Sequence, residues 1–152
     1  IMQLEWRYKQ FSELTVEELY SILKLRNEVF VLEQNCVYQD ADDKDQSSWH
    51  LMGYDENNLA AYCRILPPGL SFVEASIGRV ITSPQYRKIG AGKALVALAI
   101  RKTFEQFPVS KISIGAQLYL KNFYSSLGFI PVGNVYLEDG IEHIEMMLQH
   151  PL

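Results

Sequence analysis

The stretch Ser83–Ile100, SPQYRKIGAGKALVALAI, decides how the rest of the chain is interpreted. It has a basic pair, Arg87 and Lys88, shortly before two glycines, Gly90 and Gly92, and then continues as an apolar run of helical composition. The start of a helix presents unpaired backbone N–H groups and the positive end of the helix dipole, and glycine lets a ligand approach that backbone closely. The stretch therefore predicts an anion site at the start of a helix, with pyrophosphate as the natural ligand.

Two familiar phosphate-binding motifs do not fit this stretch. A P-loop would require glycine where Arg87 stands and serine or threonine where Ala94 stands. The dinucleotide fingerprint would require a glycine at Leu95. These departures disfavour a nucleotide-phosphate enzyme. On the loop alone, a helix start whose glycines serve only close packing remains the alternative.

Length and composition limit the classes of function. The chain has 152 residues, 48% of them hydrophobic and 21% charged, which predicts a single globular domain over residues 1–152. The net charge of −4 argues against nucleic acid as a partner, because nucleic-acid-binding surfaces carry a basic excess. No apolar run approaches the roughly 20 residues that span a bilayer, so no membrane partner is expected.

The two cysteines and three histidines predict neither a disulfide framework nor a metal site. Cys36 and Cys63 do not form a C-x-x-C pair, and two cysteines are too few for a framework. Reduced thiols are the default in the cytoplasm, which is the expected location. The histidines are widely separated in sequence and lack metal-ligand spacing.

Hydrophobic patterning predicts a mixed α/β (α+β) chain with the element order β-α-loop-β-β-β-α-β-α-β-β. A capping box, TVEE at residues 15–18, begins a helix that is predicted to end near Val31. A strand over residues 72–82 leads into the glycine loop, and a helix follows from about residue 90 to 107. Turn-forming residues predict hairpins at 55–58 and 138–140.

Residues 40–45 form an acidic segment, DADDKD, inside a stretch without clear periodicity. The favoured interpretation is a solvated loop, because runs of charge usually face water. The alternative is a lip of negative charge that attracts a cationic substrate.

The glycine loop is one of several features that occur together in a known family. Residues 87–92, RKIGAG, match [QR]-x-x-G-x-[GA] and resemble the acetyl-CoA pyrophosphate loop of the GNAT acetyltransferase superfamily. Residues 124–129, YSSLGF, match the Y-x-x-x-G-F pattern of that superfamily, with Asn122 just before them. Segments spread over residues 29–144, among them VFVLEQNCVYQDAD and EDGIEHI, resemble the ElaA family of GNAT proteins. One departure is Val37, where that family often has proline.

This resemblance implies a GNAT fold, with a mixed central sheet of six to seven strands flanked by about four helices, and acetyl-CoA as the cofactor. The strand before the loop and the strand after the helix splay apart in that fold, and the pantetheine lies between them. Backbone bonds to the pantetheine are expected from Val80 and Thr82, and the Val80 N–H would also polarise the thioester carbonyl. The implied cofactor site comprises Val80, Ile81, Thr82, Arg87, Lys88, Ile89, Gly90, Ala91, Gly92, Lys93, Asn122 and Tyr124.

The resemblance also implies the catalytic groups. Tyr124 is the expected general acid, because a phenol can donate its proton to a leaving thiolate; the alternative is a core tyrosine of an amphipathic helix. The general base stays open, since such enzymes use a glutamate, a histidine or a chain of waters. The candidates are Glu33 and His143, followed by His50 and Glu74, and for the histidines a structural role is the alternative.

The acceptor side of the site is expected near the end of the first helix. Glu33, Gln34, Arg79 and Gln117 are the predicted substrate-binding residues, and Tyr38 and Arg64 are further polar candidates. For the two arginines, the alternative is the solvated face of a strand. A covalent route through Cys36 is disfavoured, because no histidine is its neighbour in sequence and cysteine is commonly just buried.

The leading hypothesis is therefore an N-acetyltransferase that moves an acetyl group directly from acetyl-CoA to an amine of a small molecule or peptide. The alternative is a non-catalytic CoA-binding GNAT module that serves as a sensor or docking domain, against which Tyr124 beside the loop argues. The sequence names neither the acceptor nor the oligomeric state, although pairing or exchange of the last strand is a route to a homodimer.

Overall fold

The computed structural model describes residues 3–151, which contain seven strands and three α-helices. The π-helical turn Asn27–Glu33 continues the first helix. This order matches the order predicted from patterning and confirms the α+β class. Within the described residues there is one α-helix fewer than the four or so that the resemblance implies. In chain order the elements are β1 Glu5–Gln10, α1 Val16–Arg26, β2 Trp49–Asp55, β3 Asn58–Leu66, β4 Ser76–Thr82, α2 Ala91–Gln106, β5 Lys111–Gln117, α3 Lys121–Ser125, β6 Ile130–Glu138 and β7 Ile141–Gln149.

The strands form two antiparallel half-sheets rather than one continuous sheet. The first has the order β1-β2-β3-β4, and the second has the order β5-β7-β6. A parallel bridge between Ala75 and Ile112 joins them, with the Ser113 N–H donating to the Ala75 carbonyl at 3.0 Å. The half-sheets therefore meet at the start of β4 and β5.

Helices cover both faces of the first half-sheet. Helix α2 buries Leu95, Val96 and Ala99 in a core cluster that continues into the second half-sheet. Helix α1 buries Ile22 and Leu25 in a separate cluster on the opposite face. The side chains of a strand alternate between the two faces of its sheet, so neighbouring residues of β2 and β3 supply both clusters. Of the helices in the described chain, none combines the length and apolar character needed to cross a membrane.

The capping box forms as predicted. Thr15 Oγ1 accepts a hydrogen bond from the Glu18 N–H at 3.0 Å, and Glu18 Oε1 accepts one from the Thr15 N–H at 2.9 Å. The far end of the helix differs from the prediction, because the α-helical pattern ends at Arg26 and the wider π-turn carries the chain to Glu33. Apolar spacing does not distinguish a π-turn from an α-helix over so few residues.

The last hairpin has the predicted turn. Asp139 and Gly140 connect β6 and β7 with φ of 51° and 77°, which is the left-handed pair of a type I′ turn. All nine residues of β6 are exposed, and this strand is the edge of its half-sheet. The strand predicted over 72–82 is shorter and begins at Ser76.

Removing the Tyr8 hydroxyl is expected to stabilise the protein. Tyr8 Oη is buried, and among the described residues it has no hydrogen-bond partner. Burial raises the pKa of the phenol to about 12. An unpaired buried hydroxyl costs free energy, so Tyr8→Phe should raise the free energy of unfolding by about 1 kcal/mol, measured by urea denaturation. A decrease would show that the hydroxyl has a water or protein partner.

Candidate active site

A cleft with a volume of about 940 Å³ lies where β4 and β5 diverge. Its lining comes from the π-turn and the residues after it, from β4 and β5, from the glycine loop and from the β6–β7 hairpin. A gap between neighbouring strands exposes backbone N–H and C=O groups that a ligand can bind, much as an added strand would. The expectation that these two strands splay apart is therefore confirmed.

A β-bulge in the β3–β4 pair interrupts β4 where this strand borders the cleft. Tyr62 pairs with Ile81 and Arg64 with Gly78, so Arg79 and Val80 together oppose the single residue Cys63. Arg79 has a φ of 50°, a conformation that L-residues rarely adopt. Of the predicted cofactor residues in this strand, Val80, Ile81 and Thr82 all line the cleft.

The glycine loop has the form of an anion site. Gly90 stands at the N-cap of α2 with a φ of 79°, and no side chain caps the first-turn amides. A Cβ at Gly90 would meet no described atom within 4 Å, so the space beside its backbone is open. Thr82 and Phe123 pack against Gly92. These features fit a pyrophosphate group, which the free amides and the helix dipole would stabilise.

The predicted loop residues do not all face the main cleft. Arg87 and Gly92 line it, whereas Ile89, Gly90 and Ala91 border a smaller hollow of about 370 Å³ beside Trp6. Lys88, Lys93 and Asn122 are exposed and line neither cavity.

Tyr124 combines core packing with access to the cleft. Its ring makes edge contacts with Phe123 and Phe129, at centroid distances of 5.1 and 5.8 Å, and it also lines the cleft. Burial raises the pKa of the phenol above its ordinary value of 10.0, at which the hydroxyl is already protonated at neutral pH. The structural and the catalytic interpretations of Tyr124 are therefore compatible.

One ring nitrogen of His143, Nδ1, is hydrogen-bonded to the backbone, and the other, Nε2, is not part of that bond. Its Nδ1 lies 2.8 Å from the Ile141 carbonyl oxygen, which can only accept a hydrogen bond, so Nδ1 carries the proton and Nε2 is the basic nitrogen. Nε2 lies 3.6 Å from Glu138 Oε2, and the ring stacks on Tyr136 at 5.7 Å. His143 is buried and lines the cleft.

The other two base candidates lie elsewhere. Both nitrogens of His50 are occupied, by Tyr62 Oη at 2.7 Å and by the Asp45 carbonyl at 2.9 Å, and burial lowers its pKa. Glu74 accepts a hydrogen bond from Ser113 Oγ at 2.8 Å. Neither residue lines the cleft.

Three hydrogen-bonded contacts cross the cleft from residues 33, 34 and 36. Glu33 forms a bidentate ion pair with Arg87 of the glycine loop, and this contact lowers the pKa of the Glu33 carboxyl. Gln34 and Gln117 of β5 exchange amide hydrogen bonds, the shorter at 3.2 Å. Cys36 Sγ lies 3.3 Å from the Asp139 carbonyl of the last hairpin. We call residues 33–36 the crossing segment.

A buried ion network holds Asp40, Asp42 and Asp45 of the acidic segment, so the interpretation of the segment as a solvated loop is wrong for these three residues. Asp40 accepts from Arg26 at 2.6 Å and from Arg79 at 2.8 Å. Asp45 accepts from Arg26 at 2.7 Å and from Arg64 at 2.9 Å. Asp42 completes the network, because it accepts two bonds from Arg64, at 2.8 and 2.6 Å, and a longer one from Arg79.

Arg64 and Arg79 are bonded to aspartates of this network, so the alternative that they lie on a solvated strand face is wrong. The Arg64 side chain is 4% exposed and the Arg79 side chain 22% exposed. Arg79 lines the cleft, but its Nε and Nη2 donate to Asp40. The strained backbone at the β4 bulge is therefore fixed by a side chain that reaches into the network.

Neutralising Asp45 should destabilise the fold, because it would leave two buried guanidiniums without their shared partner. We expect Asp45→Asn to lower the free energy of unfolding by about 3 kcal/mol, measured by denaturant unfolding at pH 7. Asp43→Asn is the matched control, since Asp43 is an exposed carboxylate of the same segment. A loss in Asp45→Asn no larger than in this control would contradict the prediction.

The network has a defined pH dependence. Burial opposes ionisation of Asp42 and Asp45, but hydrogen bonds and charge from the arginines outweigh it and lower both pKa values below the ordinary 3.8. An aspartate whose pKa is lower in the folded than in the unfolded protein stabilises the fold. This stabilisation is complete above about pH 4 and is lost as the pH falls further. In Asp45→Asn, the free energy of unfolding should therefore fall less steeply below about pH 4 than in the native protein.

The comparisons with known proteins identify the family. Residues 11–150 match the family model described as an acetyltransferase (GNAT) domain.

This chain belongs to the GNAT acetyltransferase family.

Within that superfamily, the relatives show that it is a member of the ElaA family. Protein ElaA of Escherichia coli K12 is 43% identical over 145 residues, which cover 94% of this chain and 95% of the relative. The crystal structure of E. coli ElaA matches with a TM-score of 0.90 over 97% of this chain and 100% of that one, at 42% identity. An acyl-CoA N-acyltransferase from Pseudomonas aeruginosa matches with a TM-score of 0.91 and 38% identity, over 96% of this chain and 99% of that one.

These likenesses confirm the GNAT fold and support acyl transfer as the class of chemistry. A more distant GNAT structure, PaiA N-acetyltransferase from Thermoplasma acidophilum in complex with coenzyme A, has a TM-score of 0.67 at 16% identity over 98% of this chain and 100% of that one, and it shows the shared fold. Sequence reasoning did not single out Tyr136 and Glu138, which lie beside His143. The predicted hairpin turn at residues 138–140 could have indicated them, because the register of that hairpin pairs Tyr136 with His143.

Proposed function

We propose that this GNAT protein is an acetyl-CoA-dependent N-acetyltransferase that acts on an amine of a small molecule or peptide. The observation that carries the proposal is a single cleft that brings together Tyr124, His143 and the free edge of β4, with the glycine loop at its border. The acetyl thioester would supply the activated acyl group. The chain's residues would hold the two reactants, polarise the carbonyl and move two protons.

The donor would be held by backbone groups. The first-turn amides of α2 would bind the pyrophosphate, and the β4 edge at Val80 and Thr82 would bind the pantetheine as a neighbouring strand does. The bulge at Arg79 and Val80 lies in the pairing of β4 with β3 and interrupts the regular geometry of the strand. We propose that it directs the Val80 N–H towards the thioester oxygen, where it would stabilise developing negative charge.

The proton transfers would be divided between two side chains. His143 Nε2, with its tautomer set by the Ile141 carbonyl, would take the proton that the amine loses as it attacks. Tyr124, whose phenol is protonated at neutral pH, would give its proton to the departing thiolate. Gln34 and Gln117, which cross the cleft together, would border the acceptor.

The alternative is a CoA-binding module without turnover. Two observations favour catalysis over this alternative. Tyr124 lines the cleft although it is packed in the core, and the backbone carbonyl of Ile141 fixes the tautomer of His143.

Calorimetric titration with acetyl-CoA, with coenzyme A and ATP as controls, tests the cofactor. Micromolar binding of acetyl-CoA and coenzyme A is expected. Thiol release with a panel of primary amines then separates the enzyme from the module. Binding without thiol release for any amine would favour the module, and failure to bind acetyl-CoA would remove the basis of the proposal.

A further inference from the structure

We infer that Glu33 and the coenzyme A pyrophosphate compete for Arg87, so that cofactor binding releases the Glu33 carboxylate to the acceptor side of the cleft. The inference rests on the proposed function, because it takes the glycine loop as the pyrophosphate site.

The ion pair between Glu33 and Arg87 uses both terminal nitrogens of the guanidinium. Arg87 Nη1 donates to Glu33 Oε2 at 2.5 Å, and Arg87 Nη2 donates to Glu33 Oε1 at 2.6 Å. The pair joins the end of the π-turn to the glycine loop, 54 residues apart in sequence. Both side chains are partly exposed, at 42% for Glu33 and 38% for Arg87, so neither is locked by packing.

A phosphate offers the guanidinium the same geometry that a carboxylate does. Arginine binds either group through two parallel N–H···O bonds, and a carboxylate and a phosphate cannot both occupy the edge formed by Nη1 and Nη2 at once. Arg87 lies three residues before Gly90, at the start of the loop whose amides are uncapped. An anion bound at those amides would therefore compete with Glu33 for Arg87.

The other guanidiniums in the cleft have fixed partners. Among the described residues that line it, Arg64 and Arg79 are held by the aspartates of the buried network. Arg87 is paired instead with a partly exposed carboxylate on a different wall of the cleft. Exchange of partners is cheapest at Arg87, because exposed ion pairs are weak.

The exchange would change the charge of the acceptor side. Glu33 precedes Gln34, whose amide is bonded to Gln117, and Gln117 is the register partner of His143 in the β5–β7 pair. Once Arg87 turns to phosphate, the Glu33 carboxylate would lack its counter-charge beside this position. The acceptor class that fits is an amine that arrives with a positive charge and replaces Arg87 as the partner of Glu33.

A double-mutant cycle tests the competition through binding alone. Coenzyme A affinity is measured by calorimetry at low salt for the native protein, Glu33→Gln, Arg87→Gln and the double variant. We expect Glu33→Gln to tighten binding by about two- to fivefold, the range set by an exposed ion pair, and Arg87→Gln to weaken it. In the Arg87→Gln background, Glu33→Gln should leave the affinity unchanged. Glu28→Gln, an exposed glutamate of the same π-turn, is the matched control and should have no effect.

Each result of the cycle decides the inference. Equal tightening by Glu33→Gln with and without Arg87 would mean general charge repulsion, and it would overturn the competition. Unchanged or weaker binding in Glu33→Gln alone would overturn it as well. A native protein that does not bind coenzyme A would instead refute the proposed function, so the two failures are distinguishable.

Discussion

Replacing Tyr124 by phenylalanine is expected to lower the turnover number by about 100-fold and to leave acetyl-CoA affinity within about twofold. The ring would keep its edge contacts with Phe123 and Phe129, so the core should keep its packing. The phenolic hydroxyl would be lost, and the thiolate would then leave without its proposed proton donor. Steady-state kinetics with a responsive amine, together with calorimetry, separates the two quantities.

Tyr8→Phe is the matched control for this variant. It also removes one buried hydroxyl, but Tyr8 does not line the cleft, so turnover should be unchanged. Native turnover and an unaltered pH–rate profile in Tyr124→Phe would show that another group or solvent protonates the thiolate. A parallel loss of affinity would point to a role for the hydroxyl in holding the cofactor.

Gly90→Asp is expected to weaken acetyl-CoA binding by about 100-fold or more. The backbone at Gly90 is left-handed, and the space where a Cβ would stand is open to a ligand. An aspartate there would put bulk and negative charge where the pyrophosphate is proposed to bind, and juxtaposed like charges cost several kcal/mol. Calorimetric titration measures the loss directly.

Gly69→Asp controls for the backbone and the charge. Gly69 has a φ of 87° and equally open space, and it lies outside the cleft lining. Both variants should lose similar stability, but Gly69→Asp should bind acetyl-CoA like the native protein. Similar affinities for the two variants would refute the glycine loop as the pyrophosphate site.

Local sequence signals predicted the local structure well. The capping box at Thr15 and Glu18 and the turn at Asp139 and Gly140 form as expected, since each depends on neighbours only a few residues apart. The glycine loop was found for the same reason. The family resemblance added the splay of β4 from β5, which no local pattern encodes.

The ion network could not be predicted from the sequence. Its members come from a helix end, a loop and two strands, and a run of aspartates has the same composition whether it meets water or arginines. Arg26, Arg64 and Arg79 become partners of one loop only after α1 and the first half-sheet have packed together. The pairing of Glu33 with Arg87 was missed for the same reason, although each residue was singled out separately.

The π-turn at Asn27–Glu33 has a consequence for how this part of the chain tolerates insertions and deletions. A π-turn is an α-helix widened by one residue, and each residue of an α-helix advances the chain by about 100° of rotation. Because the wide turn takes up one additional residue, losing one residue there would restore α-helical winding and leave the crossing segment near its present orientation. Losing one residue within α1 would instead rotate the crossing segment by roughly 100°, and Glu33, Gln34 and Cys36 would then face away from Arg87, Gln117 and Asp139. A one-residue deletion should therefore disturb this wall of the cleft less at the π-turn than within α1.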